Sequence, residues 1–158
     1  TINAQKEANN WFFGENMGLR FNNSSKPLVQ TGKLNTLEGC TSISDKDGNL
    51  LFYSDGTSVW SKNHSLMPNG QNLFGDSSSS QSAIIVPNPS KPNIYYLFTV
   101  GSIGNPTGFN YYTVDLSLNN GLGDVDGTAF SLVGDYIPEQ WSEKITAVER
   151  RQKTRFLL

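Results

Sequence analysis

The chain has 158 residues, which bounds it to one domain long enough to bury a sizeable core. Charged residues are only 16%, well under the usual quarter, and the formal net charge is −2. No basic block precedes the last ten residues and no apolar run reaches ~20 residues, so neither a nucleic-acid partner nor a membrane span is expected.

From the N-terminus, "TINAQ" (Thr1 to Gln5) has the small residues of a cleaved signal peptide. Residues 1–8 are therefore read as a signal-peptide remnant or flexible N-terminus. With the Asn-, Ser- and Thr-rich composition, this points to a secreted or cell-surface protein. "NNWFFGENMGLRF" (Asn9 to Phe21) holds two short aromatic strands around a Gly-rich turn, followed by the loop "NNSSKP". "LEGCTSISDKDGNLLFYSDGTSVWSKN" (Leu37 to Asn63) reads as three strands joined by tight turns. Its Asp47-Gly48 pair supplies the positive φ of a hairpin. "MPNGQNLFG" turns into a fourth strand and "DSSSSQ" (Asp76 to Gln81) is a low-complexity loop. No segment sustains a 3.6-residue apolar period, so helix content should be low.

The pattern then returns. "QSAIIVPNPSKPNIYYLFTV" (Gln81 to Val100) is strand, Pro-rich turn, strand; "FNYYTVDLSL" (Phe109 to Leu118) and "GTAFSLV" (Gly127 to Val133) are the third and fourth strands. A third copy starts at Glu143 and stops at Leu158. Glu38, Gln81 and Glu143 open the three copies, and a second apolar strand begins at Leu50, Ile94 and Arg155, after 12, 13 and 12 residues. The repeat steps are 43 and 62 residues. A period near 40 to 50 with four short strands per unit is the signature of propeller blades.

The expected fold is thus all-β, made of β-propeller-like four-stranded antiparallel blades in an incomplete ring of about two and a half blades. The blades span about 37–75, 81–133 and 143–158, the last incomplete, and residues 9–21 supply closing strands. First strands (Cys40, Thr41, Ile43; Ala83, Ile84, Val86; Ile145, Thr146, Val148) line the channel, and the aromatic second and third strands fill the space between blades. An unpaired apolar end such as "FLL" invites pairing. The partners expected are the remaining blades of a longer parent protein or another chain.

The chemistry is sparser. Cys40 is the only cysteine, so no internal disulfide can form, and its apolar-alternating setting suits a buried structural thiol. His64, the only histidine, sits in a polar turn, so a Ser-His-Asp triad is not expected. Asp45, Asp47 and Asn49 alternate as in part of a calcium loop, but the Gly and terminal Glu of a full loop are out of register; calcium is the one cofactor considered. "GDVDGT" (Gly123 to Thr128) has the same character. Propellers bind at one mouth of the channel, where Glu38, Gln81 and Glu143 would share a rim and hold a cation or a sugar hydroxyl. Of the three tryptophans, Trp11 and Trp60 sit on strands, whereas Trp141 lies in the loop "PEQWSEK" and suits a surface role.

"NNWFFGENMGLRFN", "LNTLEGCTSISDKDGNLLFYSDGTSVWSKNHSLMPNG", "SSSSQSAIIVPNPSKPNIYYLFTV" and "SLNNGLGDV...EKITAV" together resemble the N-terminal propeller-like region of large secreted surface proteins of Bacteroidetes. The resemblance covers about Asn9 to Val148. It implies type IX export, a signal peptide, a cell-surface or secreted location and gliding-adhesin-type neighbours. "ERRQKTRFLL" departs from that pattern by a basic turn without Gly. The functional expectation is a non-enzymatic extracellular adhesion or binding module that presents propeller loops to a glycan or protein. The alternative is a fragment of a propeller-type carbohydrate-active enzyme, which would need an acid/base pair or nucleophile in a pocket.

Overall fold

Short strands separated by hydrogen-bonded turns account for nearly all regular structure in the computed structural model, which describes residues 6–22, 25–126, 130–131, 142–150 and 155–157. A 3-10 turn at Lys6–Ala8 leads into a three-stranded antiparallel sheet: β1 (Asn10–Phe13), β2 (Glu15–Arg20) and β3 (Leu28–Asn35). The second sheet has four strands in sequence order, β4 (Thr41–Ser44), β5 (Leu50–Ser54), β6 (Ser58–Ser61) and β7 (Leu66–Gln71). The third runs β8 (Ala83–Pro87), β9 (Ile94–Ser102), β10 (Asn105–Asp115) and β11 (Asp124–Val125). A further short strand, β12 (Phe130–Ser131), also pairs β10, through Asn110 and Tyr111. The two share one edge of β10, so the fourth position of this sheet is an interrupted strand. β13 (Val148–Arg150) and β14 (Arg155–Leu157) form a two-stranded ribbon.

The sheets stand side by side. Alternation along β5 sets this up, because successive side chains of a strand point to opposite faces. Phe52 turns toward the third sheet and joins Ile43, Val59, Met67, Leu97, Tyr112, Val114 and Val125 in the main core. Tyr53 turns the other way and joins Phe12 and Leu34 of the first sheet, with Cys40, Leu50 and Trp60 packed around them. Phe12 and Tyr53 stack with ring centroids 4.3 Å apart. Phe52 and Tyr53 are both fully buried. A buried side chain of the Phe52 kind contributes about 1.5–3 kcal/mol relative to exposure. The first strand of each sheet sits beside the next, β1 against β4 and β4 against β8. This is a propeller-like stack of antiparallel blades, and the described sheets do not close into a ring.

Each strand-start offset found in the sequence lands on a strand: β5 begins at Leu50, β9 at Ile94 and β14 at Arg155. Cys40 immediately precedes β4 and Ala83 opens β8. Ile43 and Ala83, expected to face a channel, are instead in the core between the second and third sheets. Tyr95 and Tyr112 fill the same space, as the aromatic second and third strands were expected to do. The N-terminal strands have a fuller setting than two closing strands: β3 completes a sheet that packs on β4 through β1. Residues 1–5 of the expected signal-peptide remnant lie outside the described residues.

The low-complexity stretch "DSSSSQ" is a partly buried connector, exposed at Ser78 and Ser80. Ser79 and Ser82 are wholly inaccessible. Ser82 Oγ donates to the Asp55 carbonyl at 2.6 Å and accepts from the Asp76 N–H, while Ser79 Oγ donates to the Val100 carbonyl. The backbone of Leu37, Glu38 and Gly39 donates to Ser77 and Ser79 carbonyls. A side chain at Gly39 would collide with the backbone of Ser79 and Ser82, so glycine is required for this close approach. Small hydroxyl residues suit such a junction because each satisfies a carbonyl where two sheets meet and no ladder bond is available. The Thr99 hydroxyl is buried without a hydrogen-bond partner among the described residues, and nothing in the structure explains it.

Candidate functional site

The edges of β1 and β4 face one another without forming a ladder. Side chains of β4 and its approach join them instead. Ser42 Oγ donates to the Asn10 carbonyl at 2.6 Å and Cys40 Sγ to the Phe12 carbonyl at 3.2 Å. In return, the buried Asn10 amide donates to Ser44 Oγ and to the Gly48 carbonyl, both at 3.0 Å. Burial, then the nearby Asp55 carboxylate, push the Cys40 thiol above its usual value, which keeps it protonated as a donor.

Along this seam lies a groove of about 480 Å³, lined by Glu7, Trp11, Phe13, Thr41 and Ser42 with Phe12, Cys40 and Ile43 at its base. Trp11 is 50% exposed and Phe13 37%. The indole is held in place. Its Nε1–H donates to the Ala8 carbonyl at 2.8 Å, and Phe21 packs beside it at 4.9 Å between centroids. The sequence dictates this locally: the turn at Lys6–Ala8 brings a free carbonyl three residues before the indole, and alternation on β1 puts Phe12 into the core and Trp11 and Phe13 outside. A fixed aromatic face beside a carboxylate and two hydroxyl residues can stack on an apolar ring face and accept hydrogen bonds around its edge.

Of the residues singled out from sequence, Trp11 lies in this groove, and Thr41, expected along a channel, lines it too. Trp60 is half-buried, stacked on Tyr53 at 5.6 Å. Glu38 is exposed, with its N–H on the Ser77 carbonyl. Gln81 and Glu143 are brought together: the Gln81 N–H donates to the Glu143 carbonyl, and Glu143 Oε1 accepts from the Ile103 N–H at 2.8 Å. Trp141 lies outside the described residues. Glu7 and Ser42 were missed. Glu7 fell within the stretch read as a remnant, although its position four residues before Trp11 is the one signal linking the two.

Asp45, Asp47 and Asn49 are brought together by a turn. Asp45 accepts from the Asp47 and Asn49 N–H groups at 2.9 Å and from Asn49 Nδ2 at 3.0 Å. Desolvation pushes its carboxyl up, but these hydrogen bonds outweigh it and hold the group below its usual value. Gly48 takes φ 88°, as the hairpin reading required. The same device recurs at Asp55, Asp76, Asn88 and Asp115, each accepting from the N–H two residues on. Asp115, Asp124 and Asp126 border a second cleft of about 400 Å³, where Asp124 accepts from Asn69 Nδ2 at 3.0 Å. Among the described residues, no group of three His, Cys, Asp or Glu side chains is arranged to hold a metal ion. Nor is any helix among them long and apolar enough to cross a membrane. Comparison with known proteins returns no match: no family model, no curated protein and no solved structure aligns with this chain.

Proposed function

We propose that the chain is a non-catalytic binding module of a secreted or cell-surface protein, which presents the groove between β1 and β4 to an external glycan or protein. The observation that carries this reading is the Trp11 indole, half exposed and fixed by the Ala8 carbonyl and Phe21. Trp11 and Phe13 together expose a contiguous apolar surface in this groove, the kind of patch that marks an interaction site, and a fixed ring loses little entropy when it is covered. The resemblance to exported surface proteins of Bacteroidetes supports an adhesive role at the cell exterior. Met17, Leu28 and Val29, 43%, 53% and 72% exposed on the first sheet, support contact with a further sheet of the parent protein or with another chain.

The test is a binding screen of the 158-residue chain against soluble glycans and extracellular proteins, with product analysis for cleavage in the same wells. Saturable binding that Trp11→Ala abolishes, with the ligand recovered intact, is the expected result. Turnover of a bound glycan would replace this reading with the carbohydrate-active enzyme.

A further inference from the structure

We infer that the ligand of the β1/β4 groove is a neutral glycan, stacked on Trp11 and hydrogen-bonded by Glu7 and the hydroxyls of Thr41 and Ser42. This rests on the binding-module reading above and narrows it to one ligand class.

The first argument is what the groove withholds. An extended peptide binds a sheet edge by pairing with its backbone. Here the edge carbonyls of Asn10 and Phe12 already accept from Ser42 Oγ and Cys40 Sγ. Ser42 Oγ spends its proton on that bond and faces a ligand as an acceptor. Side chains that already bridge the seam stand where a pairing strand would lie, which favours a ligand that brings its own donors.

The second argument is charge. Among the described residues, and apart from the protonated Cys40 thiol, Glu7 is the only ionisable side chain lining the groove. An anionic ligand would meet a carboxylate with no lining cation to offset it. A neutral polyhydroxylated one offers O–H donors, and a carboxylate accepts such bonds about twice as strongly as a neutral acceptor does.

The third is shape. The Trp11 Nε1–H is used by Ala8, so the indole offers its face rather than a donor. A flat face bordered by acceptors matches a pyranose ring, which has an apolar C–H face and hydroxyls around its edge. Phe13, two residues along the same side of β1, lies about 7 Å further along the strand and provides a second apolar surface for a chain of sugars.

The experiment is calorimetric titration of the chain with three sets of probes. These are neutral oligosaccharides (cello-, xylo-, laminari- and manno-series), anionic ones (polygalacturonate and heparin fragments) and alternating apolar strand peptides. We expect at least one neutral series to bind, with affinity changing by less than about twofold between 50 mM and 500 mM salt, since no ion pair is formed. Trp11→Ala should weaken that binding at least about tenfold, the scale of an aromatic hot spot, with Trp11→Phe retaining part of it. Glu7→Gln should weaken it several-fold. A strand peptide that binds in a Trp11-dependent way when no neutral glycan does would overturn the glycan inference and leave the module reading standing. So would tighter, steeply salt-dependent binding of the anionic probes. If no probe of any class senses Trp11→Ala while the variant's amide spectrum matches the parent, both readings fall.

Discussion

His64 shows how one side chain can report on the packing of two sheets. It sits in the turn before β7 with φ 61° and turns its ring edge to Phe12 at 5.5 Å. Its Nδ1 lies 2.9 Å from the Tyr53 hydroxyl. Desolvation, with a backbone hydrogen bond from Lys33 opposing it, pushes Tyr53 up to about 12, so the phenol stays protonated at any ordinary pH. A protonated phenol donates to Nδ1 when the neutral imidazole carries its proton on Nε2. Burial, then the Lys33 charge, lower the His64 pKa from 6.5. A histidine whose folded pKa is depressed takes up protons more readily when unfolded. Its stabilising contribution is complete above pH 6.5 and is lost as pH falls through the depressed folded value. With one imidazole in the chain, a single NMR titration reads it. We predict a midpoint below 6.5 and a thermal midpoint that declines as pH falls from 6.5. His64→Asn, which tolerates the same backbone, should flatten that decline. A midpoint at or above 6.5 would contradict this account of the interface. Sequence placed His64 in a polar turn, but the turn folds back onto Tyr53, a contact that no local pattern encodes.

Elements were legible where an apolar run followed a hairpin turn and obscure where apolar residues lie on a strand's exposed face. β5 and β9 have continuous apolar runs after hairpin turns, and their first residues follow from the repeat. β3, "LVQTGKLN", was not recognised. Its pairing with β2 slips between Glu15–Asn35 and Met17–Thr31, so Gly32, Lys33 and Leu34 stand opposite Asn16 alone. Burial still alternates over residues 31–35, with Gly32 and Leu34 inside, but a glycine at one inside position and the exposed Leu28 and Val29 hide that alternation in the sequence. Gly32 is needed because a Cβ there would strike the Phe12 ring. Gly32→Ala should cost about 1–3 kcal/mol by overpacking, seen as a lower denaturation midpoint at unchanged m-value. A neutral effect would mean that Phe12 is not seated as described. The serine-rich connector misled in the opposite sense, since low complexity suggests a solvated loop. Ser82→Ala removes the buried donor to the Asp55 carbonyl where two sheets meet, so a loss of about 1–3 kcal/mol is expected in the same assay. Ser80→Ala, at an exposed position of the same loop, should be near neutral and serves as the control.

At the scale of the molecule, repetition in the sequence made the stack of sheets readable, because each thin sheet must cover its faces with neighbours. The site was less readable. Rim residues Glu38, Gln81 and Glu143 were chosen by register alone, as equivalent positions in the repeats. The groove instead arises where the repeats differ. Its walls are β1, from the three-stranded sheet, and β4, from a four-stranded one, and its indole is fixed by the Ala8 carbonyl of the turn before β1. Register finds what repeats share and is silent on what one junction alone possesses. Amide chemical-shift mapping of the ¹⁵N-labelled chain, titrated with a neutral oligosaccharide, separates the two locations directly. The account predicts changes at Glu7, Trp11, Thr41 and Ser42, including the Trp11 indole N–H. Changes centred on Glu38, Gln81 and Glu143, with Trp11 unmoved, would contradict it.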